Sequence, residues 1–372
     1  MLIVPGCISL PMPFDVRDFP GASAADQASD PRNRGLVAAW IFCVAGMILV
    51  MIALGGATRL TGSGLSIMEW APIMGTLPPL SDAEWHRLFD LYRQIPQYNL
   101  VNDGFGLDGF KRIFWLEWIH RFWGRMMGVA FIGPLIWFWA TRRLDRPMIL
   151  RLFGICLLGG MQGFVGWFMV RSGFFAEATT VSPYRLVIHL ALAVLLYGAL
   201  LWTGLSLLPK PAPRLDGTRR GRRLIAAVCA LIALTILAGG FVAGLRAGLD
   251  YNTFPLMDGR LIPEAYARLD PFLLNLTENI ASVQFNHRLL ASCTLILAIV
   301  AAIRGIQHPD TRRWSIALGL AAIGQYSLGI ATLLAVVPPT LGVAHQVGAI
   351  LLLTAALGLL HRSIADRPAI DS

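Results

Sequence analysis

Runs of about twenty apolar residues recur along this chain, each long enough to cross a hydrocarbon layer of ~30 Å as an α-helix. About eight such runs are present by length and apolar content, centred on Leu36 to Gly56, His120 to Thr141, Leu152 to Val170, Leu186 to Leu207, Leu224 to Gly244, Arg288 to Ile303, Ser315 to Val336 and Leu341 to Leu360. Within hydrocarbon every backbone N–H and C=O must be satisfied inside the protein, which leaves helices or a closed barrel. A barrel strand would alternate in polarity over about ten residues, whereas these runs are apolar on every face. Composition agrees, with 56% hydrophobic and 14% charged residues and a mean hydropathy of +0.61. The expected fold class is therefore an all-α polytopic membrane protein with about eight transmembrane helices.

A net charge of +9 would suggest a nucleic-acid partner in a soluble protein. Here its placement sets topology instead, and no nucleic acid is expected. Arg142, Arg143, Arg146 and Arg151 fall between the second and third runs; Lys210, Arg214, Arg219, Arg220, Arg222 and Arg223 between the fourth and fifth; Arg304, Arg312 and Arg313 between the sixth and seventh. The positive-inside rule makes these short loops cytoplasmic. The two long loops, 57–116 and 245–286, carry Asp82, Glu84, Asp90, Asp108, Asp250, Asp258, Glu264 and Asp270 and are expected outside, with both chain ends in the cytoplasm. The first 35 residues lack a basic cluster followed by an apolar core and do not read as a cleaved signal peptide. Cys43, Cys156, Cys229 and Cys293 fall in apolar runs and Cys7 in the tail; with no CxxC or CxxCH, covalent heme, a zinc ribbon and an outer-loop disulfide are disfavoured.

The chain repeats itself about the basic stretch at 209–223. Gly55-Gly56, Gly64-Leu65, Gly75 and Pro79 recur at the same spacing as Gly239-Gly240, Gly248-Leu249, Gly259 and Pro263. Glu117-Trp-Ile-His120-Arg121 corresponds to Gln284-Phe-Asn-His287-Arg288, Gln162 and Gly166 to Gln325 and Gly329, and His189 to His345. Repeated sequence implies repeated structural units, so two four-helix bundles are expected over 36–208 and 224–361, with cytoplasmic tails at 1–35 and 362–372 and a cytoplasmic linker at 209–223.

Four of the seven histidines occupy the repeat. His120, His189, His287 and His345 are all placed near the outer ends of their spans, and ionisable groups at membrane depth usually face a bundle interior where they serve a site. One imidazole from each of two helices can hold a porphyrin iron between them, so two heme sites are expected, one per half. Zinc or copper would call for Cys, Asp or further His nearby. His86 and His308 read as solvated loop residues, and His361, about 24 Å beyond His345 at ~1.5 Å per residue, as a surface residue at the cytoplasmic end. Arg121 and Arg288, directly after a histidine, read either as partners of heme propionates or as arginines snorkelling to water. Arg59 and Arg246 carry the same two readings. Trp115, Trp118 and Trp123 read as an interfacial belt or as rings against a porphyrin.

The halves differ at Glu117, which the repeat aligns with Gln284. Lying about one turn before His120, Glu117 shares its face. It is either an acid beside one iron, making that half the reacting one, or a water-facing carboxylate stabilised by the dipole of a helix N-terminus.

The residues Gly55-Gly-Ala-Thr-Arg-Leu-Thr-Gly-Ser-Gly-Leu-Ser66, Glu69-Trp-Ala-Pro-Ile-Met-Gly-Thr-Leu-Pro-Pro79, Glu117 to Arg125, Phe285-Asn-His-Arg288 and Ala344-His-Gln346 resemble the heme A synthase family of the proteobacterial and mitochondrial type, over about 36 to 361. The resemblance implies a bacterial inner-membrane enzyme that oxidises the C8 methyl of heme O to the formyl of heme A by successive hydroxylations. It implies a heme b cofactor ligated by His287 and His345 in the C-terminal half. The N-terminal half would take heme O, with His120 and His189 facing the substrate iron and Glu117 acting in the oxidation. Implied partners are heme O, membrane lipid, a heme O synthase, an electron donor and a second copy of the chain. The cysteine pair of Gram-positive members is missing from the first outer loop, so no mechanism through it is available. A two-heme electron carrier would usually set its hemes at opposite depths, and a transporter would need a gated midplane site; four histidines at one depth suit neither.

Overall fold

The computed structural model describes residues 30–71, 74–175, 178–209 and 219–364. The tails up to 29 and from 365, Cys7, and Lys210 and Arg214 of the linker lie outside the described residues. Ten α-helices are present among the described residues, and no strand beyond an isolated bridge between Met257 and Arg260. They are α1 (Pro31–Leu60), α2 (Asp82–Tyr92), α3 (Pro96–Val101), α4 (Leu107–Ala140), α5 (Arg146–Arg171), α6 (Pro183–Leu207), α7 (Arg219–Gly244), α8 (Ile280–Ile306), α9 (Pro309–Leu334) and α10 (Pro339–Ser363). The starts are written locally. Pro31, Pro183, Pro309 and Pro339 each occupy a first helical position, where a missing N–H costs nothing. The side chains of Asp30, Asp145 and Asn279 cap the free N–H groups of Arg32, Met148 and Ser282.

Seven of these helices are long and apolar enough to cross a membrane: α1 and α5 to α10. The eighth long helix, α4, is the longest at 34 residues and carries Asp108, Lys111, Arg112, Glu117, Arg121 and Arg125 among its first nineteen residues. It starts at Leu107, thirteen residues before His120, so His120 does not sit near a helix end as the hydropathy suggested. The extra turns rise into a helical cap rather than a loop. Leu65, Trp85, Leu88, Tyr92, Ile95, Phe110 and Phe114 form a buried core among α2, α3 and the start of α4. Within this segment Trp85, Phe110, Phe114, Trp115 and Trp118 pack edge-on or tilted against one another. Trp123 points inward and donates to Met47 O on α1.

In the first half α1, α4, α5 and α6 pack in a ring, each touching the next; α7, α8, α9 and α10 repeat the ring in the second. Separate cores fill them, one around Ile41, Leu152 and Leu200, the other around Ile232, Ala298 and Leu318. The halves meet through α6 on α7, α1 on α10, and α6 on α10. Exchange of the halves swaps the first two contacts and returns the third to itself, so a pseudo-twofold axis passes between α6 and α10. Tyr197 and Thr354 share a hydrogen bond of 2.7 Å beside it. His361, read from sequence as a surface residue, is only 3% exposed and meets Trp202 edge-on at 5.0 Å. Its helix lies inside the joint between halves, which no single-helix pattern reveals.

Candidate functional site

α4 carries His120 and α6 His189, while α8 carries His287 and α10 His345. Each ring lies against a glycine of a neighbouring helix. A Cβ added to Gly55 on α1 would come within 3.3 Å of His120 Nε2, and one on Gly166 of α5 within 2.9 Å of His189 Cε1. On Gly239 of α7 it would approach His287 Cε1 to 3.0 Å, and on Gly329 of α9 His345 Cε1 to 2.8 Å. The approaches at Gly166 and Gly329 are closer than packed atoms tolerate, and those at Gly55 and Gly239 would push the ring aside by a few tenths of an ångström, so the glycines serve as seats for the imidazoles. Sequence reasoning saw these glycines only as markers of the repeat. The signal for their role was their pairing in register with the histidines.

Hydrogen bonds fix the rings further. His287 Nδ1 lies 3.2 Å from Thr235 O; a carbonyl can only accept, so Nδ1 carries the proton and Nε2 keeps its lone pair for a metal. Gln325 Nε2 donates to His345 O at 2.9 Å and sits 3.1 Å from His345 Nδ1, and its repeat counterpart Gln162 sits 3.4 Å from His189 Nε2. His189 Nδ1, Gln162 Oε1 and Gln325 Oε1 are buried without a hydrogen-bond partner, a condition that costs about 1–3 kcal/mol per group unless something meets it.

Glu117 is 2% exposed and lies ten residues inside α4. The water-facing, helix-dipole reading therefore fails. Its carboxylate accepts four hydrogen bonds: from Ser66 Oγ at 2.7 Å and Ile67 N at 2.9 Å, and from Arg121 Nε at 3.0 Å and Nη2 at 2.6 Å. Gln284, equally buried, donates through Nε2 to Ala247 O and Asp250 O, both at 2.7 Å, and accepts from Arg288 Nη2 at 2.9 Å. The two turns share one architecture and differ by a charge.

Arg121 and Arg288 neither snorkel nor hang free. Arg121 donates to Ile67 O and Glu69 O at 2.7 and 3.1 Å, and Arg288 to the repeat-equivalent Tyr251 O and Thr253 O at 2.6 and 2.8 Å. Each planar guanidinium thus ties its histidine-bearing helix to the segment that follows the first helix of its half. Arg288 Nε remains buried without a partner. Arg59 crosses between halves, donating to Ala243 O at 2.7 Å. His86 lies apart from the site, exposed and bonded to Asp82 O of its own helix. His308 stands at the N-cap position of α9 without a side-chain capping bond.

All four histidines, Glu117, Arg121, Arg288, Arg59 and Arg246 line one continuous cavity of about 1400 Å³ that spans both halves. Pockets for drug-sized ligands run to about 1,000 Å³, so this space exceeds one such molecule. Among the described residues no three His, Cys, Asp or Glu side chains cluster as a metal cage. Two imidazoles per half, lining an apolar cavity and backed by glycines, are instead a donor set that a porphyrin iron could take, since its four remaining ligands are its own nitrogens. The residues present fit an iron porphyrin in each half.

Comparison with known proteins supports this chemistry from outside. Residues 38–357 match the family described as cytochrome oxidase assembly protein. A protein of Granulibacter bethesdensis named heme A synthase is 60% identical over 332 residues, which cover 89% of this chain and 88% of that one. Proteins of the same name from Rhodospirillum centenum, 47% identical with 92% and 91% covered, and from Parvibaculum lavamentivorans, 46% identical with 89% and 95% covered, are similar over the same extent.

Proposed function

Because the chain belongs to the heme A synthase family, a multi-pass membrane enzyme that binds heme and oxidises heme O to heme A, we propose how its two halves divide that work. Residues 224–361 hold a heme b through His287 and His345, and residues 36–208 take heme O between His120 and His189. The observation that carries this division is the matched pair Glu117 and Gln284: one half offers a buried carboxylate beside its histidines, the other a neutral amide of the same shape.

Converting the C8 methyl to a formyl group requires two successive hydroxylations, after which the gem-diol loses water. Heme b, when bound, supplies reversible one-electron chemistry near the substrate. The chain's own residues do the rest. His120 and His189 orient the substrate porphyrin, and the glycine seats stop their rings from turning. The carboxylate of Glu117, held by four donors, is a fixed negative charge at the rim of the substrate pocket. It opposes positive charge that develops at the methyl carbon and offers an acceptor for a proton released there. Apolar walls exclude water from the partly oxidised product. Arg121 and Arg288, whose guanidiniums line the cavity, stand where propionates of the two hemes would find cations, with the buried Nε of Arg288 available to one of them.

The same reading sets the chain in a bacterial inner membrane, with Arg142, Arg143, Arg219, Arg220, Arg312 and Arg313 at the cytoplasmic ends of their helices, both tails and the linker 209–223 on that side, and the helical cap opposite. A heme O synthase would supply the substrate, and an electron donor acting together with an external oxidant would supply the equivalents and the oxygen atom of each two-electron hydroxylation. Exposed Phe153, Leu157, Phe164 and Leu320 present an apolar surface to lipid or to another copy of the chain. The deciding experiment is expression with a heme O source followed by mass analysis of extracted hemes. Heme A supports the reading; bound heme O that is never oxidised would overturn it.

A further inference from the structure

The two rings of helices are not closed equally. In the second half α8 and α9 pack along much of their length, and the hydroxyl of Tyr326 shares a hydrogen bond of 3.0 Å with Ser292 across the seam. In the first half α4 and α5 touch sparsely. Aligning His120 with His287, and Gln162 with Gln325, shows why. Leu295, Ala322 and Tyr326 of the closed seam are replaced by Gly128, Gly159 and Gly163, and Ser292 by Arg125, whose Nη2 is turned away to Ala71 O. A Cβ added to Gly128, Gly159, Gly160 or Gly163 would meet no atom within 4 Å. These glycines are therefore not close-packing devices; they border open space. Gly128, Ile132, Cys156, Gly159, Gly160 and Gly163 line the same cavity as His120 and His189. At the top of the opening the deeply buried imidazole of His189 leaves Nδ1 without a partner, beside the equally unpartnered Gln162 Oε1.

We propose that the gap between α4 and α5 is a lateral slot that receives the isoprenoid tail of heme O, and that this slot is what distinguishes the substrate half from the heme b half. The proposal rests on the division of halves given above. From His120 to Ile132 the slot follows α4 for about 18 Å at ~1.5 Å per residue, a shape for an extended chain rather than a compact group. Apart from Arg125, whose Nη2 is held by Ala71 O, its walls are apolar or bare backbone and lie at membrane depth, where Gly160, Gly163 and Ile132 are exposed. An occupant must thus be apolar, elongated and attached to something seated at the histidines. Heme O is a porphyrin with a long isoprenoid chain; heme b has none. In the second half the chain would collide with Tyr326 and Leu295. Lipid tails are as apolar as the slot, so the tail gains little by leaving the bilayer. The slot selects by room: a porphyrin with a tail can enter only the half that has somewhere to put it.

The test uses the full chain in lipid nanodiscs, carrying its resident heme b, titrated by difference absorption with heme O or with tail-free protoheme. Gly163→Tyr and Gly128→Leu restore the second-half residues from either side of the slot. Each is expected to weaken heme O binding by about tenfold or more, near 1.4 kcal/mol, while protoheme binding and the resident heme b spectrum stay as in the parent. Should one variant lose resident heme b, the other, on the opposite helix, decides. Unchanged heme O affinity in a variant that keeps heme b would overturn the slot and leave it to lipid; an equal loss of protoheme affinity would overturn it as a tail site. A parent chain that binds no heme O at all would instead take down the division of halves itself.

Discussion

Glu117 and Arg121 stand one helical turn apart on α4, the carboxylate accepting from both Nε and Nη2 of the guanidinium. Their counterparts Gln284 and Arg288 keep a single bond of 2.9 Å. The repeat therefore contains its own control, in which a glutamine already holds the same turn together without a charge.

Glu117→Gln is accordingly expected to fold and to retain resident heme, since Gln284 holds the equivalent turn. Product formation should fall by about 10²-fold, the typical size of a lost electrostatic or proton-accepting group, with heme O or the singly hydroxylated heme accumulating in extracts analysed by mass. Gln284→Ala should leave the product largely intact. Heme A at the parental rate from Glu117→Gln would remove the acid from the chemistry.

Ligation should be lost selectively. His287→Ala or His345→Ala should abolish or shift the low-spin absorption of purified protein, and His86→Ala or His308→Ala should not. The glycine seats extend this to residues with no donor of their own. Gly239→Leu and Gly329→Leu would drive a side chain into the imidazoles of His287 and His345 and should perturb the same spectrum, whereas Gly55→Leu and Gly166→Leu should spare it and impair heme O binding. An unaltered spectrum in both Gly239→Leu and Gly329→Leu would dismiss the seats.

The arginine clamps predict a mechanical phenotype. Arg288→Leu removes three charge-assisted bonds, each worth about 1.5–3 kcal/mol, and should expose the 245–279 segment to protease and lower heme b occupancy. Arg121→Leu should loosen the 61–69 segment, spare heme b and weaken heme O binding. Arg288→Lys cannot fork between Tyr251 O and Thr253 O and should rescue little. Equal, small changes in yield alone would argue against a site role for either.

The helical cap should be insensitive to pH over the neutral range. Arg87 bridges Glu69 and Glu84, and its hydrogen bonds hold both carboxyls below their ordinary value of 4.5. A lowered folded-state value contributes stability above the ordinary value and loses it as pH falls. The contribution is small because all three side chains are largely exposed. Thermal melts of the parent and of Arg87→Ala should therefore run parallel from pH 8 to about 5 and draw together only below it; divergence near pH 7 would require another titrating group.

Much of this architecture is legible in the chain alone. The apolar runs, the repeat, the four histidines and the Glu117/Gln284 difference are all properties of residue type and spacing. What escapes is whatever depends on which faces meet. Hydropathy cannot show that α4 continues thirteen residues outward, because those turns are stabilised by the aromatic core around Trp85 and Phe110 rather than by lipid. Nor can it show that Arg121 ends on carbonyls more than fifty residues earlier, that His361 is sealed against Trp202, or that Gly163 borders a gap where Tyr326 closes one.

Both sets of histidines line one cavity. With a porphyrin in each half, as proposed, loading is a linked equilibrium: whatever free energy a porphyrin on one side lends to binding on the other must be returned in full when the order is reversed. The sequence in which hemes arrive can change how fast the doubly loaded enzyme forms, but not how stable it is once formed.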